Sequence, residues 1–276
     1  MSQPVIELKK AGLRLGERRL WQDLNLAVEP GEFLAVLGPN GSGKTSLLQV
    51  LLGLSQLSTG SVMIAGKVPE RGSDIIGYVP QQKGFDADLP IRGRDLVRFG
   101  LDGHKYGFSL GNRDGEQRVQ AAIDAVGAQD YANAPVGLLS GGEQQRLRIA
   151  QALLGDPQIL LCDEPLLSLD LAHQQAVSML IDERRRQADT AVVFVTHDIN
   201  PVLPMVDRVL YIVGEHWAIG KPDEVLTTAK LTKLYGTPVD VVKVRGRVVV
   251  VAAGEELPTE PGGRHHEHSH KPAEHH

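Results

Sequence analysis

Apolar residues in this chain gather into short unbroken runs, set apart by stretches of helical period. Ile6 and Leu8 share one face of the alternating segment from Pro4 to Lys10, which predicts a half-buried strand. After a turn at Glu29-Pro30-Gly31-Glu32, Phe33 to Leu37 is apolar throughout, the pattern of a strand covered on both faces. Ile159 to Cys162 and Ala191 to Val195 repeat that pattern, and Val209 to Val213 repeats it more weakly. Buried strands separated by helical stretches predict an α/β fold, a mostly parallel sheet with helices on both sides.

The middle of the chain reads differently. Gly93 to Phe99 is helical in pattern, and so is Asp114 to Val126, where Val119, Ala122, Ile123 and Val126 share a face. His104 to Asn112, rich in glycine and polar residues, predicts a loop. Residues 86–155 are therefore expected to form a helical lobe inserted in the sheet domain. Val239 to Val251 predicts a hairpin turning at Arg245-Gly246. From Glu255 onward Pro, Gly, Glu and His dominate, so the folded domain is expected to cover 1–254 and residues 255–276 to form a disordered, histidine-rich tail.

Composition narrows the function. Aromatics are only 4%, so the core must be aliphatic. A net charge of −5 lacks the basic footprint of a nucleic-acid binder. The single cysteine, Cys162, leaves no internal disulfide and reads as a small buried filler. The start, MSQPVIELKK, has neither the apolar run nor the cleavage site of a signal peptide. No stretch approaches the ~20 apolar residues that cross a bilayer. A role at a membrane would need another polypeptide to supply the span.

Two segments carry chemistry. Gly38-Pro39-Asn40-Gly41-Ser42-Gly43-Lys44-Thr45 fits G-x-x-x-x-G-K-[ST] directly after the Phe33–Leu37 strand, and a helix is expected to open at Lys44 or Thr45 and run to Gly53. Glycines let successive N–H groups converge on phosphate oxygens, and a helix N-terminus adds its dipole. Lys44 is placed to bridge the β- and γ-phosphates, and Thr45 to offer its hydroxyl to Mg²⁺. Ile159 to Glu164 is an apolar strand ending in two acids. At such a tip Asp163 can hold Mg²⁺, and Glu164 can polarise the water that attacks the γ-phosphate.

A third segment, Leu139-Ser140-Gly141-Gly142-Glu143-Gln144-Gln145-Arg146, carries a capping-box pattern in Ser140 and Glu143 and predicts a helix start. A serine hydroxyl and two glycine amides there make a second anion site. One chain does not need two γ-phosphate sites for one ATP. The economical explanation is that Ser140, Gly141, Gly142 and Glu143 serve a nucleotide held by another copy.

Taken together these segments resemble the ATP-binding cassette family, the motor subunits of ABC transporters, over about residues 5–236. The resemblance rests on GPNGSGKT (38–45), YVPQ (78–81), LSGGEQQR (139–146), ILLCDEP (159–165), SLD (168–170) and TH (196–197), in the family's order. It implies a P-loop NTPase core, an N-terminal antiparallel β part and the inserted helical lobe. It implies an ATPase that uses ATP and Mg²⁺, with two cassettes packed head to tail around two nucleotides. By position, residues Gly38 to Ser46 would hold the nucleotide, Ser46 included. Gln81 would contact Mg²⁺ and sense the membrane partner, Asp170 would sit at the dimer seam, and His197 would contact the γ-phosphate. Lys44, Gln81, Glu164 and His197 would be the catalytic group. One position departs from the pattern: Leu15 stands where the family stacks an aromatic on adenine, so a looser grip on the base and better competition by GTP are expected.

The family's soluble members in translation and DNA repair fit poorly, because one motif set is present and fewer than sixty residues separate Gln81 from Ser140. A regulatory nucleotide binder is disfavoured by the presence of both Glu164 and His197. The expected setting is the cytoplasmic face of the inner membrane, beside an integral permease subunit and an extracytoplasmic metal-binding protein. KGFDADLPIRGRDLVRFG, with Asp86, Pro90, Asp95, Val97 and Gly100, resembles the zinc and manganese importers, with siderophore- or haem-iron importers next. The tail fits that cargo. Six of the ten histidines fall in the last thirteen residues, and His265, His266, His268 and His270 are the expected ligands of a divalent ion.

Overall fold

The computed structural model describes residues 3–81, 84–102 and 113–252. The expected His104–Asn112 loop and the tail, with His265, His266, His268 and His270, lie outside the described residues. In chain order the elements begin with β1 (Ile6–Leu15), β2 (Arg18–Val28), β3 (Phe33–Leu37), α1 (Lys44–Leu51), β4 (Thr59–Ile64) and β5 (Ile76–Val79). The helices α2 (Gly93–Asp102), α3 (Arg113–Ala125) and α4 (Gly141–Leu154) follow. Next come β6 (Ile159–Asp163), α5 (Leu171–Ala188), β7 (Ala191–Val195), β8 (Arg208–Val213) and β9 (His216–Gly220). The described chain closes with α6 (Pro222–Val225), α7 (Thr228–Tyr235), β10 (Val239–Val244) and β11 (Arg247–Ala252).

The central sheet has the order β5-β6-β7-β3-β8-β9, parallel from β5 to β8, with β9 returning antiparallel. All five residues of β3, of β6 and of β7 are buried, which is why their sequences are unbroken apolar runs. The two-residue period of a strand then divides the core. Phe33, Ala35 and Leu37 pack with the helical lobe, α5 and α7, and Phe33 meets Phe194 of β7 at 5.6 Å between ring centres. Leu34 and Val36 pack on the other face with α1 and the N-terminal sheet β2-β1-β4.

That antiparallel sheet is the N-terminal β part the family resemblance implies, although the residue pattern alone shows only the start of β1. Alternation in β1 breaks at Lys10, which has a left-handed φ of 46° and sits within the register shift between Leu8 and Ala11. The strand does not end at Lys10 as expected from its pattern; it passes a bulge and runs on to Leu15. In β4 only Ile64 is buried, so the strand carries little apolar signal. The helix after the phosphate loop stops at Leu51 rather than Gly53. The hairpin β10–β11 does turn at Arg245-Gly246, both with positive φ, as a two-residue turn of this kind requires.

One consequence of the topology positions everything below. Gly38 follows β3, Glu164 follows β6, His197 lies two residues past β7 and Gln81 two past β5. Four neighbouring parallel strands thus release their loops at one edge of the sheet, where α/β folds bind ligands.

Candidate active site

The phosphate loop is built by a backbone that side chains would obstruct. Gly38 has φ 141°, and a Cβ there would lie 2.0 Å from the Ile212 carbonyl oxygen of β8. The loop therefore sits flush on the neighbouring strand. Lys44 opens α1 and folds back, its Nζ donating to the carbonyls of Gly38 at 2.7 Å and Pro39 at 3.0 Å. Burial lowers the Lys44 pKa, while Glu164 and Asp163 pull the other way. The Ser42 hydroxyl is buried without a partner.

Across from it, β6 ends in its two acids. Asp163 is 1% exposed, and its Oδ1 accepts from the Thr45 hydroxyl at 3.3 Å. Its other oxygen, Oδ2, is buried and unpaired. Burial raises the Asp163 pKa, with the Thr45 hydroxyl opposing. Cys162, fully buried beside it, is a filler whose thiol burial pushes far up. Glu164 adopts φ 48°, a left-handed conformation that costs a non-glycine residue about 1–3 kcal/mol. Its N–H still bonds Val195 O at 2.9 Å, so the strand ladder holds the strained residue in place. The carboxylate reaches His197, whose Nδ1 lies 3.4 Å from Glu164 Oε2.

Asn40, Gly41, Gly43, Lys44, Thr45, Ser46, Gln81, Glu164 and His197 line one cavity of about 700 Å³. Ser140, Gly141, Gly142 and Glu143 do not line it. The donor set fits a nucleoside triphosphate with a hydrated Mg²⁺. A free buried carboxylate oxygen beside a threonine hydroxyl is hard-oxygen chemistry, and Mg²⁺ takes one or two such protein ligands plus phosphate and water. Thr45, Asp163 and Gln81 are the residues available to it. Leu15, largely exposed, stands on the cavity wall at the position where the resemblance implies an aromatic.

Arg18 and Leu20 of β2, and Leu167, also line the cavity, and sequence reasoning missed them. Arg18 Nη2 donates to Gly41 O at 3.0 Å. It belongs to no local pattern, since only the fold of the N-terminal sheet brings it to the loop.

The LSGG segment forms a helix start with both halves of its capping box. Glu143 N–H donates to Ser140 Oγ at 3.4 Å, and Ser140 N–H donates to Glu143 Oε2 at 2.8 Å. The Ser140 hydroxyl also donates to that carboxylate, at 2.7 Å. These bonds hold the Glu143 pKa below the usual carboxylate range. Gly142 has an intrachain reason as well, because a Cβ there would lie 3.2 Å from Ser168 O. Asp170 caps α5, accepting from the His173 N–H at 2.9 Å and meeting His173 Nδ1 at 2.7 Å. That cap accounts for the acid without any partner chain.

Comparison with known proteins identifies the family and the fold. Residues 21–167 match the family model described as ABC transporter. The zinc import ATP-binding protein ZnuC of Halorhodospira halophila is 37% identical over 237 residues, 85% of this chain and 84% of that one. The uncharacterized ABC transporter ATP-binding protein YvrA of Bacillus subtilis is 37% identical over 81% of this chain, which spans only 52% of that relative's length. A solved structure described as a metal-chelate type ABC transporter, inward-facing, aligns with TM-score 0.74 at 27% identity, covering 90% of this chain and 96% of that one. A dimeric ATP-binding cassette bound to ADP and Pi aligns with TM-score 0.68 at 29% identity, covering 78% and 98%.

Replacing Ser140 by Ala should lower stability by about 1 kcal/mol near neutral pH, read as a shift in the urea midpoint. The depressed Glu143 pKa means that its part of the cap is present above the ordinary carboxyl range of about 4 and is lost as pH falls through the folded value. The gap between Ser140→Ala and wild type should therefore narrow in acid; a gap that widens there contradicts this account of the cap.

Proposed function

The chain belongs to the ABC transporter family, and on that premise we propose that it is an ATP-hydrolysing cassette whose two copies close head to tail around two nucleotides. The observation that carries this reading is the cavity itself. It gathers the phosphate loop, Gln81, Glu164 and His197, yet it lacks the LSGG residues, which present a capped helix start elsewhere on the same chain. Exposed Leu167 and Leu171 flank the Ser168-Leu169-Asp170 segment, and apolar side chains beside a polar helix cap suit a protein interface.

In the proposed reaction the N–H groups of residues Gly38 to Ser46, Pro39 excepted, and the Lys44 ammonium hold the β- and γ-phosphates. Mg²⁺ held by Thr45, Asp163 and Gln81 would neutralise charge developing on the phosphate oxygens. Glu164 accepts the proton of the attacking water, and its strained backbone fixes the carboxylate at the strand tip. His197 donates toward the γ-phosphate and stays oriented by Glu164. The partner copy's Ser140 hydroxyl and the partner copy's helix start would complete the phosphate contacts.

ABC ATPase cassettes work as dimers with a membrane permease subunit. No helix among the described residues is long and apolar enough to cross a membrane. We place this chain on the cytoplasmic face, docked to a permease near Gln81, in a system served by an extracytoplasmic metal-binding protein. A zinc or manganese cargo is supported by the likeness to the zinc import protein and by the histidine-rich tail. The likeness to a metal-chelate type transporter supports a second reading, a chelated iron complex.

Three measurements test these statements. Lys44→Ala and Ser140→Arg should each abolish hydrolysis alone, while an equal mixture regains about a quarter of the wild-type rate, because half the pairs are hybrids with one intact composite pocket. A mixture as inert as its components refutes the head-to-tail pair. Leu15→Tyr should tighten ATP several-fold and reduce competition by GTP, through restored stacking on the base; unchanged selectivity in a competition assay contradicts the role given to Leu15. Cells lacking the chain should lose uptake of zinc or manganese while uptake of a ferric chelate persists, and the opposite pattern selects the second reading.

A further inference from the structure

Asn200 binds more than its own turn. Its N–H and its Nδ2 donate to Asp198 Oδ1 at 2.9 and 2.7 Å. Its Nδ2 also donates to Val248 O at 3.0 Å, and its Oδ1 accepts from the Val248 N–H at 2.7 Å. The side-chain amide thus acts as a one-residue strand against β11. The N–H and C=O of one strand residue point the same way, so Val248 gives both to Asn200 and neither to β10.

At the other end of this turn stands His197. Thr196 Oγ1 donates to Asp198 O at 2.8 Å and accepts from the Asp198 N–H at 3.2 Å, closing the turn on itself just after β7. The His197 ring is about half exposed and has Glu164 as its ion-pair contact. Beside it a second cavity, of about 370 Å³, has Pro39, Asn40, His197, Asp198, Val248 and Val250 among its walls. The phosphate loop, the histidine and the C-terminal hairpin therefore face a common space. Ile199 and Val202 are buried, so the segment keeps its place in the core without Asn200. What the amide adds is a fixed distance between the histidine turn and the hairpin.

We propose that Asn200 is a positioning residue for ATP hydrolysis, and that the β10–β11 hairpin it grips belongs to the hydrolytic apparatus through this two-point clamp. The inference rests on the reading of the cavity as an ATP-hydrolysing site. Asn200 lines neither cavity; it acts by holding the His197 turn where the imidazole meets Glu164 and the γ-phosphate. A misplacement of an ångström in such a group slows chemistry without weakening binding.

The test uses the full chain and three variants. Asn200→Ala removes the clamp from the turn. Val248→Pro removes the N–H from the hairpin side while leaving the β10–β11 ladder its own bonds. The third variant combines both changes. Asn200→Ala should lower kcat about tenfold, and Val248→Pro, which leaves the Nδ2 bond to Val248 O, should lower it less, with KM for ATP within about twofold in each; the double variant should fall no further than Asn200→Ala, since both changes act on one clamp. Asn200→Asp keeps the acceptor for Val248 N–H but sets a carboxylate oxygen against Asp198 Oδ1 and Val248 O, so it should not recover the loss. The inference is overturned if folded variants keep wild-type kcat, if the loss lies in KM alone, or if the two single effects multiply. A wild-type chain that hydrolyses no ATP sinks the underlying reading instead, and is told apart by that control.

Discussion

Every candidate catalytic group depends on one hydrogen-bonded ladder, the parallel run β5-β6-β7-β3. Each of its strands delivers one loop at the same edge, and three of the four are dry on both faces. In β6, β7 and β3 every residue is buried, so their backbone bonds have no water to compete with. The ladder also enforces the strained Glu164. Its amide bonds Val195 O, one register step past Asp163↔Val195, and a residue so tied cannot relax its φ without breaking the end of the sheet. Core packing and catalytic geometry are in this sense one property. A change that slips β6 against β7 moves Asp163, Glu164 and His197 together.

The charges at that edge hold one another in a poised state. Burial lowers the Lys44 pKa and raises that of Asp163, each shift disfavouring the charged form. Lys44 and Asp163 each offset part of the other's penalty, whereas Glu164 helps Lys44 and adds to the cost at Asp163. Two carboxylates alone would repel a polyphosphate. The convergent amides of the phosphate loop and the Lys44 ammonium reverse that sign locally, and a divalent cation against the unpaired Asp163 Oδ2 would favour its ionised form. The unpartnered polar atoms Ser42 Oγ and Asp163 Oδ2 mark where this edge is built for a charged ligand, since isolated buried polar atoms are costly.

Much of this was legible in the chain because it is local. Apolar runs named the buried strands, glycine spacing named the phosphate loop, and Ser140 with Glu143 named a helix start that forms with both cap bonds. What escaped has tertiary causes. β4 and most of α5 bury little, so their patterns are faint; α5 buries only Val177, Ser178, Ile181 and Asp182. The bulge at Lys10 hid the length of β1. Arg18 reaches Gly41 and Asn200 grips Val248 over sequence distances of 23 and 48, which no periodicity encodes. Asp170 and Gly142 show the converse. Both were read for a partner chain, and both also have work inside their own, a helix cap and a close approach to Ser168.

That double use bears on how a paired site would switch. In the single chain the Ser140 hydroxyl donates to Glu143 Oε2, so the hydroxyl proton a phosphate needs is already engaged. To meet a phosphate, Ser140 must turn its hydroxyl away from Glu143, which keeps the Ser140 N–H. The exchange trades one charge-assisted bond for another and costs little when a phosphate is present, but it is unfavourable when none is. A carboxylate in the first turn also occupies the positive end of the helix dipole, so an incoming anion meets a screened site until it displaces that contact. The capping box would therefore keep the helix start closed to stray anions and yield it to a γ-phosphate presented by the other copy. The bonds that start α4 would thus make closure of the pair depend on the nucleotide.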